Sequence, residues 1–276
     1  MKVGIVGLGL MGGSLAKALR KYSIATKIFG FVKNKEEEKQ ILEFGLVDEL
    51  LSFEELKTKV DILILALPVK AIISYMQDLK DIDENLTIID LGSTKEEIIL
   101  KIPKNIRKNF VAAHPMAGTE NSGPSAAIDN LYEGNTVVLC NLEDNSKNHK
   151  NKALKLFRQI GMRIVQMDAK SHDIHASYIS HLPHAISFSL ANTVMNHENP
   201  QEIIALAVGG FKDMSRIAKS SPNMWSDVFF QNKKNLLKSL NEFEKNLKNL
   251  KELVENDKED ELKELMRKAN SLHNIL

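Results

Sequence analysis

The chain has 276 residues, enough for two domains and a sizeable core. Its 37 Lys+Arg against 36 Asp+Glu leave a formal net charge of +1, and residues 1–167 and the remainder are each close to neutral, so neither part offers the basic field that nucleic acid or an anionic membrane requires. No apolar run approaches the ~18 residues needed to cross a bilayer, the N-terminus enters a strand-like run without a cationic leader, and Cys140, the single cysteine, has no disulfide partner, so a cytoplasmic, reducing location is expected.

Up to about Met167, short apolar runs alternate with amphipathic segments: KVGIVG, KIFGFV, DILILAL, LTIIDLG, FVAAHP, TVVLC and MRIVQM. Near-continuous apolar strands separated by helices predict an α/β, doubly wound and mostly parallel sheet covered on both faces. Within NLEDNSKNHKNK, Lys147 to Lys152 reads as a solvated loop. After Asp168 the strand signal gives way to helical periodicity, in HDIHASYISHLPHAISFSLANTVMN, around Ile203 to Ala218, from Trp225 to Val254 and from Glu259 to Leu272, with a turn at SSPN. The expected organisation is a dinucleotide-binding domain over residues 1–167 and an all-α domain over residues 168–276. Leu236, Leu240, Phe243, Leu247 and Leu250 recur at spacings of three and four, more apolar surface than a small helical domain can bury, so a homodimer through these helices is expected.

In GIVGLGLMGGSLAKAL, Gly7, Gly9 and Gly12 are spaced G-x-G-x-x-G, with Leu10 and Met11 between the last two. Directly after an apolar strand and at the start of a helix, this spacing is the Rossmann-type fingerprint: a tight turn, a close approach of backbone to a pyrophosphate, and close packing of helix on strand. Its bland counterpart is a glycine-rich turn with no ligand. The acid that usually reads the ribose 2′-hydroxyl is missing, because Val32 stands at that position and Lys33 follows. Lys33 is a candidate partner for a 2′-phosphate, or simply an exposed cation at a strand end.

Later strands end on candidate chemistry, on the edge where an open parallel sheet holds its ligands. Ser93, in DLGSTKEE, is a hydroxyl at a strand tip, and with Glu96 it also fits a capping box. His114 ends FVAAHP, and Pro115 favours an extended backbone that points the imidazole out of the strand end, although a buried structural histidine is the ordinary alternative. His172, His175, His181 and His184 invite a metal, but on a continuous helix the first two point away from the last two, and no metal is expected.

Four motifs, HPMAGTENSG, DLGSTK, SHLPHAISFSL and GGFKDMSRIAKSSPNMW, stand behind GLGLMGGSLA, and together they resemble the prephenate dehydrogenase family with its arogenate-using members. The likeness runs from Met1 to about Phe230, and the helical remainder fits that family's C-terminal dimerisation domain. The resemblance implies oxidative decarboxylation of prephenate to 4-hydroxyphenylpyruvate, with hydride passing to a nicotinamide cofactor, on the route to tyrosine. It implies that His114 bonds the substrate's 4-hydroxyl and draws its proton, with Ser93 in support and Glu120 behind. It further implies that Arg216 grips a substrate carboxylate, that His184, with His181 as its neighbour, contacts the substrate side chain, and that Trp225 belongs to the site. Lys212 and Asp213 recur with the arginine motif, Asp213 orienting Arg216 or holding the turn. The resemblance favours NAD, whereas Val32 and Lys33 pull towards NADP, and both stay open, as do prephenate and arogenate. No regulatory domain is expected after Leu276, which leaves competition at the site as the route for inhibition by tyrosine. Two rival functions also stand: a dehydrogenase of the β-hydroxyacid type with a catalytic lysine, and a dinucleotide-binding sensor with no turnover.

Overall fold

The seven apolar runs of the first part, joined by the two-residue Glu49–Leu50, form eight strands in one sheet, ordered β3-β2-β1-β4-β5-β6-β7-β8, in a computed structural model that describes residues 1–275. In chain order these are β1 (Lys2–Val6), α1 (Leu10–Lys21), β2 (Lys27–Phe31), α2 (Lys35–Glu43), β3 (Glu49–Leu50), α3 (Phe53–Lys59), β4 (Ile62–Leu65), α4 (Val69–Met76), β5 (Thr87–Asp90) and α5 (Glu96–Lys101). There follow β6 (Phe110–Pro115), β7 (Thr136–Cys140), α6 (Lys147–Gln159) and β8 (Arg163–Met167). Every pairing is parallel except β6 with β7, where His114 faces Val138. The central strands are buried end to end because helices cover both faces, and two apolar clusters result, one holding Ile5, Leu15 and Phe157 and the other Leu63, Ile72 and Phe110.

The second part is helical: α7 (Ala169–Ala176), a π turn over Ser177–His181, α8 (Leu182–Met195), α9 (Pro200–Ala205), α10 (Gly209–Ser215), α11 (Pro222–Gln231), α12 (Lys233–Glu255) and α13 (Glu259–Asn270). The chain divides into two compact units, Met1–Asn232 and Lys233–Leu276. The first therefore includes the whole sheet together with α7 to α11. In the second, α12 and α13 pack together across a turn at Asp257, whose φ of 52° is left-handed.

Four expectations are corrected. Lys147 to Lys152 is not a solvated loop but the start of α6: Ser146 precedes the first turn, and His149 is buried, with Nδ1 2.7 Å from Thr87 Oγ1 and Nε2 3.1 Å from the Glu84 carbonyl. The helix expected from Trp225 to Val254 is broken at Asn232, where α11 ends and the backbone leaves helical geometry. Ser93 and Glu96 form no capping box, since α5 begins at Glu96 and the carboxylate of Asp173, on α7, accepts from the backbone N–H of Lys95 at 2.8 Å and of Glu96 at 2.9 Å. The four histidines do not lie on one continuous α-helix, because the π turn inserts extra residues between the pairs. Pro183 explains it: proline has no N–H to give and its ring clashes with the carbonyl four residues back, so the helix widens just before it.

Candidate active site

The first turn of the sheet is built around backbone contact. Gly7 has a φ of +87°, and a Cβ there would lie 2.5 Å from the Ala66 carbonyl oxygen, while a Cβ on Gly12 would meet the Gly7 carbonyl oxygen at 1.9 Å. Gly9 differs, since a Cβ on it would find nothing nearer than Gly123 N at 3.8 Å. Gly7 and Gly12 are thus demanded by the protein itself, whereas the space over Gly9 is open, as a phosphate-approach position must be. Gly9 also precedes α1 as its cap without a side chain, and Leu10 and Met11 open the helix with no acidic residue in the first turn, so its N–H groups face no competing carboxylate. Tyr132 OH donates to the Met11 carbonyl at 2.7 Å and the backbone N–H of Ile128 donates to Ser14 Oγ at 2.8 Å, which ties the segment after β6 to α1. At the end of β2, Val32 is packed into the core and Lys33 is exposed, its Nζ 5.0 Å above the Tyr75 ring. Beside them a cavity of about 240 Å³ is lined by Phe31, Val32, Glu38, Leu50, Leu51 and Ser52.

On the same edge β5 and β6 are neighbours, Asp90 facing Ala112, so Ser93 and His114 follow adjacent strand tips. His114 is only half-buried, and its Nδ1 lies 2.8 Å from His172 Nε2. His172 Nδ1 in turn lies 2.7 Å from Asp173 Oδ1. A carboxylate only accepts, so His172 carries its proton on Nδ1 and accepts at Nε2; His114 must then donate from Nδ1. Nε2 of His114 is left with a free lone pair and no protein partner among the described residues. Burial, followed by the neighbouring His172, Lys95 and His181, holds His114 well below the ordinary histidine range and so keeps it neutral. Ser93 is half-buried, and its hydroxyl makes no hydrogen bond among the described residues.

Behind the imidazoles lies a buried pair, Lys95 and Asp90, both with no exposed side-chain surface. Lys95 Nζ donates to Asp90 Oδ2 and, at 2.7 Å, to the carbonyl of Ala113, the residue before His114. His181 is buried, its Nδ1 3.1 Å from the Asn232 side-chain amide, and burial pulls it down to about 4.

A second group of side chains completes the site. Trp225, on α11, is 7% exposed and stacks on His184, with ring centroids 3.5 Å apart and planes at 20°. His184 Nδ1 donates to the Ser180 carbonyl at 2.9 Å, which leaves its Nε2 as an acceptor, and burial lowers its pKa, with Arg216 adding to the effect. The exposed guanidinium of Arg216 reaches Glu120 Oε2 at 3.5 Å. Asp213 is not the residue that orients it: Arg216 pairs with Glu120, and Asp213 is exposed with no ion pair among the described residues. His181 links the two groups, its ring 6.1 Å from that of Trp225. Sequence reasoning missed His172 as part of the site, along with Asp173, Lys95 and Asp90. The signal available was a His-Asp pair in HDIH at the start of the first long helix and the lysine of DLGSTK. Among the described residues, no three His, Cys, Asp or Glu side chains converge as metal ligands.

A glycine cradle at the first turn of a mostly parallel sheet, with a neutral imidazole three strands away on the same edge, defines a dinucleotide-binding fold with an imidazole on its ligand side. Residues 15–166 match the family model for the prephenate dehydrogenase nucleotide-binding domain, and residues 168–268 that for the prephenate dehydrogenase dimerization domain. The chain is 33% identical over 245 residues to the prephenate dehydrogenase of Bacillus subtilis, covering 87% of this chain and 66% of that one, so it spans just under two thirds of that relative's length. The crystal structure of prephenate dehydrogenase from A. aeolicus in complex with hydroxyphenyl propionate and NAD+ superposes with a TM-score of 0.92 at 35% identity, covering 99% of this chain and 97% of that one. Synechocystis arogenate dehydrogenase superposes with a TM-score of 0.82 at 28% identity, covering 99% of both chains. The chain belongs to the prephenate dehydrogenase family.

Proposed function

We propose that the chain oxidatively decarboxylates prephenate to 4-hydroxyphenylpyruvate, with NAD as hydride acceptor, as a step towards tyrosine. The observation that carries this reading is the free Nε2 of His114, held neutral at a strand tip on the same sheet edge as the glycine cradle. In the reaction, hydride leaves the ring carbon that bears the 4-hydroxyl, the hydroxyl proton leaves, and the ring carboxylate departs as carbon dioxide while the ring becomes aromatic. The bound nicotinamide supplies the hydride acceptor. His114 Nε2 takes the hydroxyl proton, and the imidazolium that forms keeps its Nδ1–H on His172 Nε2, while His172 keeps donating its own Nδ1–H to the Asp173 carboxylate. The carboxylate of Asp173 thereby opposes the new charge on His114. Ser93 supplies a hydroxyl beside the reacting oxygen, and Arg216, with exposed N–H groups beyond its contact to Glu120, supplies a planar fork for a substrate carboxylate. Gly7, Gly9, Leu10, Met11 and Gly12 hold the dinucleotide's phosphates, and Lys33 stands at its ribose end.

A specific observation favours a second substrate. With Nδ1–H given to Ser180, His184 offers an acceptor, which matches the ammonium of arogenate rather than the keto oxygen of prephenate. The same site thus has a means of taking arogenate. Following reduced nicotinamide after adding prephenate or arogenate tests the reading: turnover of either supports a dehydrogenase of this type, and silence with both, under NAD and NADP, would leave only a dinucleotide-binding sensor.

The unit of assembly is a homodimer through the helical part, without nucleic acid or membrane as partner, and the division of labour falls at residue 167. In a single chain Leu247 is 54% exposed and Leu250 36% on α12, while Leu206 is 81% and Val208 74% exposed between α9 and α10, apolar surface of the kind subunit contacts cover. No helix among the described residues is long and apolar enough to cross a membrane, and a cytoplasmic location suits a reduced, buried Cys140.

A further inference from the structure

A lysine and an aspartate with no exposed side-chain surface are costly to bury, and a buried ion pair is commonly no more stabilising than apolar side chains in its place. The position of this pair is informative. Lys95 touches the His114 assembly from two sides: its backbone N–H donates to Asp173 Oδ1, the end of the imidazole relay, and its ammonium donates to the carbonyl of Ala113, one residue before His114. Asp90 Oδ2 holds the ammonium and also accepts from the backbone N–H of Gly92 at 2.8 Å, while its Oδ1 is buried with no partner. One carboxylate oxygen is therefore left unsatisfied to keep a cation at this spot.

We propose that Lys95 is a positioning residue for the reaction: its buried ammonium, anchored by Asp90, fixes the backbone that carries His114 and sets a positive charge near that imidazole. The groups facing His114 are His172 and Asp173 on α7, His181 in the π turn, Asp90 at the end of β5 and Lys95 just before α5; on β7, Val138 stands opposite. Of these, Lys95 is the group whose ammonium is tied to the strand itself, by Asp90 and by the Ala113 carbonyl. A neighbouring cation disfavours protonation of an imidazole, and in a buried setting it is weakly screened. The direction for His114 agrees: burial lowers it most, His172 next, and Lys95 adds to them. The consequence for catalysis is a base that stays unprotonated below the usual histidine range, so the acid limb of the pH profile lies at low pH.

The inference rests on His114 being the base, and the test separates the two. Nuclear magnetic resonance titration of the His114 ring reads the effect of Lys95 without any turnover, alongside the pH profile of kcat/KM and the Kd for NAD+. In the wild-type chain His114 titrates below about 6.5. In Lys95→Met, and in Lys95→Met with Asp90→Asn, where no buried charge is orphaned, it moves up by about one pH unit or more and the acid limb follows, while NAD+ affinity holds. Lys95 is a strand staple and nothing more if the variants lose stability but leave both the titration and the limb where they were. A wild-type His114 that titrates at or above the ordinary value overturns the proposal even if neither variant folds. Unchanged turnover in His114→Asn, by contrast, removes His114 as the base and leaves the titration result standing.

Discussion

Asp173→Asn tests the relay behind His114. The carboxylate accepts three hydrogen bonds, from His172 Nδ1 at 2.7 Å, from Lys95 N at 2.8 Å and from Glu96 N at 2.9 Å. An amide has the same shape but one acceptor oxygen, so its NH2 must face a backbone donor, and the helix loses a charge-assisted cap worth about 2 kcal/mol. The catalytic effect is separate. When His114 takes a proton, its charge lies about 7 Å from Asp173, across two hydrogen bonds and a ring, and at an effective dielectric of about 20 their attraction is about 2.4 kcal/mol, or about 60-fold in rate. The assay is kcat and kcat/KM for prephenate at saturating NAD+, with thermal melting and the Kd of NAD+ measured on the same sample. The expectation is a drop in kcat of about 30- to 100-fold with NAD+ affinity intact. A folded Asp173→Asn protein that keeps kcat within about threefold of wild type would refute the relay, because the charge it removes would then be irrelevant to the protonated state.

Other expectations follow from single contacts. Gly12→Ala places a Cβ 1.9 Å from a backbone oxygen and is expected to cost about 3 kcal/mol or more, whereas Gly9→Ala, with nothing nearer than 3.8 Å, melts like wild type yet binds NAD+ at least about tenfold more weakly by calorimetry. Burial holds His114, His149 and His181 below their ordinary value, so the unfolded chain binds protons that the folded one does not; their contribution is complete above about pH 6.5 and is lost as pH falls towards the folded values, and the melting temperature drops between pH 7 and 5. A melting temperature that stays level across that range would contradict the neutral buried histidines. Leu247→Glu with Leu250→Glu moves the sedimentation coefficient from dimer to monomer if α12 supplies the subunit contact, and leaves it unchanged otherwise.

Strands such as DILILAL were legible because both faces of a central parallel strand are buried and the whole run is apolar. Glu49–Leu50 was not, since a two-residue edge strand carries no pattern. The start of α6 looked like a solvated loop because His149 is its only buried residue in the first turns, and the groups that hydrogen-bond that histidine, Thr87 and Glu84, lie more than sixty residues away in sequence. The same reason hid the relay. Ser93, His114, His184, Arg216, Glu120 and Trp225 were named from motifs, but that His172 joins His114 depends on α7 docking against β6. The cap on α5 comes from Asp173 rather than from Ser93 or Glu96, a long-range contact that local spacing cannot foresee. The apolar periodicity from Trp225 to Val254 runs through Asn232 without a glycine or proline to mark the break; the break coincides with the donation of the Asn232 side chain to the Asp173 carbonyl at 2.6 Å.

The central claim is that Nε2 of His114 receives the proton of the substrate's 4-hydroxyl. Its most direct test is His114→Asn, assayed for prephenate-dependent reduction of NAD+ beside a calorimetric Kd for the dinucleotide. The account predicts turnover reduced by a factor on the order of 10³ or more with nucleotide affinity essentially preserved. Turnover near the wild-type rate in a variant that still binds NAD+ would contradict it.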